Sequence, residues 1–186
     1  MDHEALANKE SLDTAVAAMK ENLFQPEVVA TGAEALARIK EIIPAGASVM
    51  NGASKTLDQI GYLEYLKAGR HGWNNLHEAI LAEKDPAKQS LMRKQLAPDF
   101  WLNSVHGITE KGELVDASAS GSQMPALAFT ANSLIIVAST KKIVPDIAGA
   151  LQRIDEHVVP LEDVRMKQVY GPESGTKHAK TLILHR

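Results

Sequence analysis

Ser104-Val-His-Gly-Ile-Thr-Glu-Lys-Gly-Glu-Leu-Val115, Ala117-Ser-Ala-Ser-Gly-Ser-Gln123, Ser133-Leu-Ile-Ile-Val-Ala138 and Thr140-Lys-Lys-Ile-Val-Pro-Asp146 follow one another in the second half of the chain. A polar turn, a serine-rich loop, an apolar run and a lysine pair in that order describe a binding region on an α/β sheet, because open α/β sheets take their ligands beyond the carboxyl ends of their strands. Phe100–Val105 and Glu113–Val115 flank Glu110-Lys-Gly112, a glycine-containing connection of hairpin type. Ser133–Ala138 reads as the clearest buried strand. Asp146–Val158 carries Ile147, Leu151 and Ile154 at helix spacing, Leu161–Val169 predicts a last short helix, and Thr181–Leu184 a closing strand.

Upstream, Asp2–Asn22 places Leu6, Leu12, Val16 and Met19 near one helical face. Thr31-Gly-Ala-Glu34 has the capping-box form and opens a second helix to about Ile43, which Pro44-Ala-Gly46 stops. Ala47–Asn51 predicts a buried parallel strand feeding the loop Gly52–Thr56. A third helix carries Leu57, Ile60, Leu63 and Leu66, with a break at Gly61. Trp73–Gln95 reads as two helical pieces, the second capped by Asp85 with Pro86 at its first position. Helices alternating with short apolar strands predict an α/β fold of three layers with a mostly parallel sheet. The 186 residues are the length of one ordinary domain, 1–186, with 1–30 as a helical lead-in.

Composition narrows the function classes. A net charge of −3 with mixed signs offers no polycationic surface for nucleic acid. No apolar run approaches the roughly eighteen residues of a membrane span, and Met1-Asp-His-Glu4 opens acidic, so a cytoplasmic protein without a membrane partner is expected. The absence of cysteine removes disulfides, a thiol nucleophile and thiolate ligation of zinc or iron–sulfur clusters. The seven histidines show neither HxH nor HExxH spacing, and no dinucleotide fingerprint is present, so neither metal nor flavin is expected.

The segment Ile108-Thr-Glu-Lys-Gly-Glu-Leu-Val115, the Gly/Ser loop, the strand after it and the Lys142-Ile-Val-Pro-Asp146 helix entry together resemble the LUD (lactate-utilisation) domain family, over roughly Thr31–Arg186. The resemblance implies a fold similar to the group of ribose-5-phosphate isomerase, glucosamine-6-phosphate deaminase and CoA transferases. It also implies a part in oxidising L-lactate to pyruvate, beside iron–sulfur subunits that supply the redox centre. One departure is that LUD domains commonly continue past the position of Leu184 into another strand, so the sheet edge here is either shorter or completed by a partner; a homo-oligomer stays open.

Three polar segments are candidates for binding a small anionic metabolite. Asn51, Gly52, Ser54 and Thr56 lie between a strand and a helix, where backbone approach and helix N-terminal amides suit an anion; the alternative is that Ser54 or Thr56 only caps the helix. Ser118, Ser120, Gly121, Ser122 and Gln123 can wrap an anion or carbonyl, or form an ordinary serine-rich turn. At least one of Lys141 and Lys142 can neutralise a carboxylate or phosphate, or either can lie solvated; Lys141 is the one assigned to the pocket, since adjacent residues tend to point in different directions and only one need face it. His106, Glu110 and Asp116 are the titratable candidates for catalysis, against a structural role for a lone histidine at a strand end. Three functions follow: a ligand-binding accessory subunit of lactate oxidation; an isomerase, hydrolase or acyl/CoA-transferase-like enzyme on a phosphorylated or CoA-linked metabolite; or a structural partner with a degenerate pocket.

Overall fold

The computed structural model describes residues 2–186. In chain order the elements are α1 (Lys9–Glu21), α2 (Gly32–Ile42), β1 (Ser48–Asn51), α3 (Lys55–Gln59), α4 (Tyr62–Lys67), β2 (Asn74–Asn75), α5 (Leu76–Ala82), α6 (Pro86–Lys94), β3 (Phe100–Asn103), β4 (Gly107–Thr109), β5 (Leu114–Ser118), β6 (Ser133–Ile136), β7 (Ile143–Val144), α7 (Ile147–Arg153), α8 (Val159–Tyr170) and β8 (Lys180–Leu184). The chain is an α/β protein. Its contacts gather it into two compact units: one holds Val28–Ser104 and Pro125–Val137, the other the N-terminal segment through Glu27, Val105–Met124 and Ala138–Arg186.

The first unit contains a four-stranded sheet in the order β2-β1-β3-β6 in which every pairing is parallel. The Thr31 hydroxyl caps α2 by accepting from the Glu34 amide at 3.2 Å, and the Glu34 carboxylate reaches back to the Ala30 amide at 2.9 Å. The reciprocal bond of the expected capping box therefore lands one residue earlier than the usual geometry. Asp85 caps α6 ahead of Pro86, and Gly61, at φ +80°, separates α3 from α4. Ile39, Val49, Leu57, Tyr62, Trp73 and Leu102 form the core. At the opposite end of the strands from the loop after β1, one carboxylate oxygen of Asp99 accepts from the Ser48 amide at 2.8 Å and its hydroxyl at 2.7 Å, while the other accepts from Asn132 at 3.1 Å. These donors hold the Asp99 carboxyl below its ordinary value. The run read as the clearest buried strand, β6, is instead an edge strand with Ser133 and Leu134 exposed. Its unbroken apolar run packs one face and leaves the other at the sheet margin.

In the second unit the sheet order is β7-β4-β5-β8. The β4–β5 and β5–β8 pairs are antiparallel and β4–β7 is parallel, so this sheet is mixed. The hairpin around Glu110-Lys-Gly112 is present, but its first arm is Gly107–Thr109. Phe100–Asn103 belongs to the parallel sheet of the first unit, between β1 and β6. Helix α1 starts at Lys9 because the Asn8 side chain caps it by accepting from the Ser11 amide at 2.9 Å, leaving 2–7 outside the helix. From the helix end, Asn22 donates to the Lys111 carbonyl at 2.9 Å, tying α1 to the hairpin turn. Asp146 caps α7, and a π-helical turn over Ile154–Val158 leads directly into α8, giving Pro160 room where it cannot donate to the preceding turn. Val115, Val144, Ala150 and Ile154 form the core of this unit.

Gly107 lets β4 lie close against Ala150 of α7. A Cβ there would stand 2.7 Å from the Cβ of Ala150 and 3.3 Å from its Cα. Gly107→Ala should therefore cost about 1 to 3 kcal/mol, the usual range for overpacking, seen as a lower urea midpoint at unchanged slope. A midpoint equal to wild type would show that the strand and helix separate freely.

Candidate functional site

The hairpin register builds the site. The His106 amide donates to the Val115 carbonyl at 2.9 Å, which sets His106 across from the start of the Asp116–Ser118 stretch. Successive β5 side chains alternate faces, so Val115 and Ala117 join the core while Asp116 and Ser118 share the other face. Asp116 is 1% exposed and one of its oxygens lies 2.8 Å from Nδ1 of His106, whose side chain is 29% exposed.

Two contacts compete for that ring nitrogen, since the Ala117 amide also approaches Nδ1 at 3.0 Å. With the proton on Nε2, Nδ1 accepts from Ala117 and the buried Asp116 oxygen is left without a donor. With the proton on Nδ1, the carboxylate is satisfied and one amide loses a neutral bond. A desolvated carboxylate without a donor costs more than a lost neutral hydrogen bond, so the Nδ1–H form is the favoured tautomer. Nε2 then carries a free lone pair, the arrangement in which a carboxylate orients an imidazole for proton transfer.

Two cations complete the group. Lys142 donates to the Val105 carbonyl at 2.8 Å, and Arg153, 4% exposed, donates to the His106 carbonyl at 3.1 Å. Lys142 keeps part of its surface as a residue, yet desolvation of its ammonium pulls it down to about 8, with the Arg153 charge adding to the effect and Asp116 opposing it. Burial also lowers the Arg153 guanidinium.

The serine-rich loop is fastened beside this group. Gln123 approaches Asp116 at 3.4 Å and receives the Ser118 hydroxyl at 3.2 Å, while the Gly121 amide donates to Ser118 at 2.8 Å. Gly121 adopts φ +82° with Lys180 against its open side, so the turn requires glycine. The Ser120 hydroxyl donates to Ser122 at 3.1 Å, and both residues are exposed around it. Glu110 and Lys141 line a cleft of the same unit together with Arg153. Lys141 is not a free cation, because Glu4 holds its ammonium at 2.9 Å.

The remaining candidates stand at the end of β1 in the first unit. Asn51 donates to the Gly52 carbonyl at 3.0 Å, Ser54 caps α3 by accepting from the Leu57 amide at 3.2 Å, and Thr56 is the second residue of that helix. A Cβ at Gly52 would meet the Asn103 side-chain oxygen at 2.6 Å, so this glycine is fixed by packing.

The chain matches the family model described as LUD domain over residues 12–170. It belongs to the LUD domain family. The matched region begins inside α1, well before Thr31, and stops at the end of α8, short of β8. No curated protein and no solved structure matches the chain.

Within the LUD domain, the residue of this group that reading the sequence did not single out is Arg153. Arg153 had a visible signal: it falls on the stripe of Ala150 in α7 and Ile154 in the turn after it, and a cation on an apolar stripe needs an internal partner. Lys142 was legible only as one of a pair with Lys141, because adjacent lysines on a turn look alike until the backbone assigns their directions.

An amine at about 8 in the folded protein and 10.5 otherwise is protonated in the unfolded chain but not in the native one between those values, so stability should rise with pH across that window. Lys142→Met should lose this rise: wild type should gain roughly 2 to 3 kcal/mol on the variant between pH 8 and 10.5 in chemical denaturation. Parallel stability curves would place the ammonium in water.

Proposed function

We propose that this LUD-domain chain acts in lactate utilisation as a cysteine-free, cytoplasmic accessory subunit that binds a small anionic metabolite, beside iron–sulfur partners that carry the electrons in oxidising L-lactate to pyruvate. The family membership supports the pathway. What supports the anion is the charge at the site: the desolvated cations Lys142 and Arg153 stand against the buried carboxylate Asp116, and that carboxylate is already engaged by His106. An excess positive charge of this kind, withdrawn from water, interacts more strongly with an anion than exposed lysines would. Among the described residues no helix is long and apolar enough to cross a membrane.

The Asp116–His106 pair favours a second reading in which the chain is itself an enzyme of the isomerase, hydrolase or acyl-transfer kind. In it His106 Nε2 takes or returns a proton, Asp116 holds the ring, and Lys142 with Arg153 stabilises developing negative charge. Glu110, which lines the neighbouring cleft, is the other carboxylate available for proton transfer.

A thermal-shift series with L-lactate, pyruvate, ribose 5-phosphate and acetyl-CoA separates the readings, since a ligand binding only the folded state at about a hundred times its Kd adds about 2.7 kcal/mol. Lactate or pyruvate should stabilise wild type, and Lys142→Met should weaken that binding by about 1 to 3 kcal/mol, the value of a charged hydrogen bond. Stabilisation by the sugar phosphate or the CoA ester, with turnover lost in His106→Gln, would favour the enzyme. No shift from any of them would sink the anion-binding proposal.

A further inference from the structure

The cleft of the second unit holds a second set of unmatched donors. His3, Glu110, Lys141 and Arg153 are among its lining residues. Arg153 is 4% exposed and its Nε has no hydrogen-bond partner among the described residues. The His3 side chain is 10% exposed, neither ring nitrogen makes a hydrogen bond among the described residues, and the Glu156 carboxylate stands at 3.6 Å from Nε2. Donors closed off from water without acceptors are costly, and a cleft lined by them points to an acceptor that enters from outside.

One carboxylate already reaches this group. Glu4, on the extended segment before α1, places one oxygen 2.9 Å from the Lys141 ammonium and the other 3.0 Å from Nε2 of His157. The Lys141 contact, as hydrogen bond and as charge, holds the Glu4 carboxyl below its ordinary value, with His157 and Arg153 acting in the same sense. Glu4 itself is exposed, and exposed ion pairs contribute little, so another carboxylate can displace it at small cost. Lys141, Arg153 and His157 lie within the stretch that matches the family, whereas Glu4 lies before it.

We propose that the Lys141–Arg153–His157 cluster is a binding site for a small monocarboxylate, and that Glu4 occupies it as an intramolecular stand-in that such a ligand displaces. The other charges of the cleft argue for that class over phosphate. Asp2 and Glu110 also line it, and a dianion would meet both, while a single carboxylate replaces the charge that Glu4 withdraws and leaves the local balance unchanged. Residues of one unit carry the whole argument, and it does not require the chain to serve lactate oxidation.

Acetate and inorganic phosphate, titrated separately at constant ionic strength into wild type, Glu4→Gln and the double variant Glu4→Gln/Lys141→Met, test this through the His157 ring signals in NMR. Burial holds the His157 midpoint below its ordinary value and Glu4 works against that, so Glu4→Gln should lower the midpoint further. Acetate should bind Glu4→Gln about twofold to fivefold more tightly than wild type, the range of an exposed ion pair, and removing Lys141 should reverse the gain. Equal acetate affinity in wild type and Glu4→Gln, an unsaturable His157 response, or tighter binding of phosphate than of acetate would overturn it. Glu4 and Lys141 lie at the surface, so the variants retain the fold, which circular dichroism checks. Because the readout is local to His157, its failure leaves the thermal-shift test of the preceding proposal independent.

Discussion

A carboxylate taken out of water must find its charge balance inside the protein, and Asp116 imposes that constraint on the unit around it. The β4–β5 register puts His106 beside one of its oxygens, and Gln123, at the end of the serine-rich loop, comes back to the other. Arg153 then fixes the carbonyl of His106, and Lys142 that of Val105, so both cations are tied to the backbone that presents the imidazole. A slip of one residue in β5 would turn Asp116 into the core and Val115 out of it. Hairpin register, loop closure and helix placement therefore depend on one buried negative charge.

Much of the architecture was legible because its signals are local. Thr31, Asp85 and Asp146 announce their helices by capping chemistry that needs nothing beyond the next three residues. The Gly112 turn likewise announces a hairpin. What was not legible is which strand the hairpin uses, since Phe100–Asn103 and Gly107–Thr109 are both short apolar runs and only tertiary pairing assigns the first to the parallel sheet. The edge position of β6 was hidden for the same reason: an unbroken apolar run reports composition, not how many neighbours a strand has.

The candidate site was legible in its residue types and not in its directions. His106, Asp116, Ser118 and Gln123 meet as expected of residues on one hairpin and the loop that follows it. Lys141 and Lys142 take different partners, one pairing with Glu4 and the other with a backbone carbonyl. The turn Thr140–Lys142 rotates consecutive side chains by about a third of a revolution each, so adjacent lysines cannot share an environment.

Asp99 and Asp116 show why one carboxylate reads as structure and the other as chemistry. Asp99 gathers an amide, a hydroxyl and a carboxamide, all from groups that cannot change protonation near neutral pH, and these fasten the ends of three parallel strands. Its charge is spent on geometry. Asp116 instead faces an imidazole through its inner nitrogen, a group that can gain or lose a proton, and among the described residues no hydrogen bond engages the outer nitrogen of that ring. A fully claimed carboxylate holds a fold; one that orients a titratable partner leaves a proton position free, and that free position is what a ligand or substrate can use.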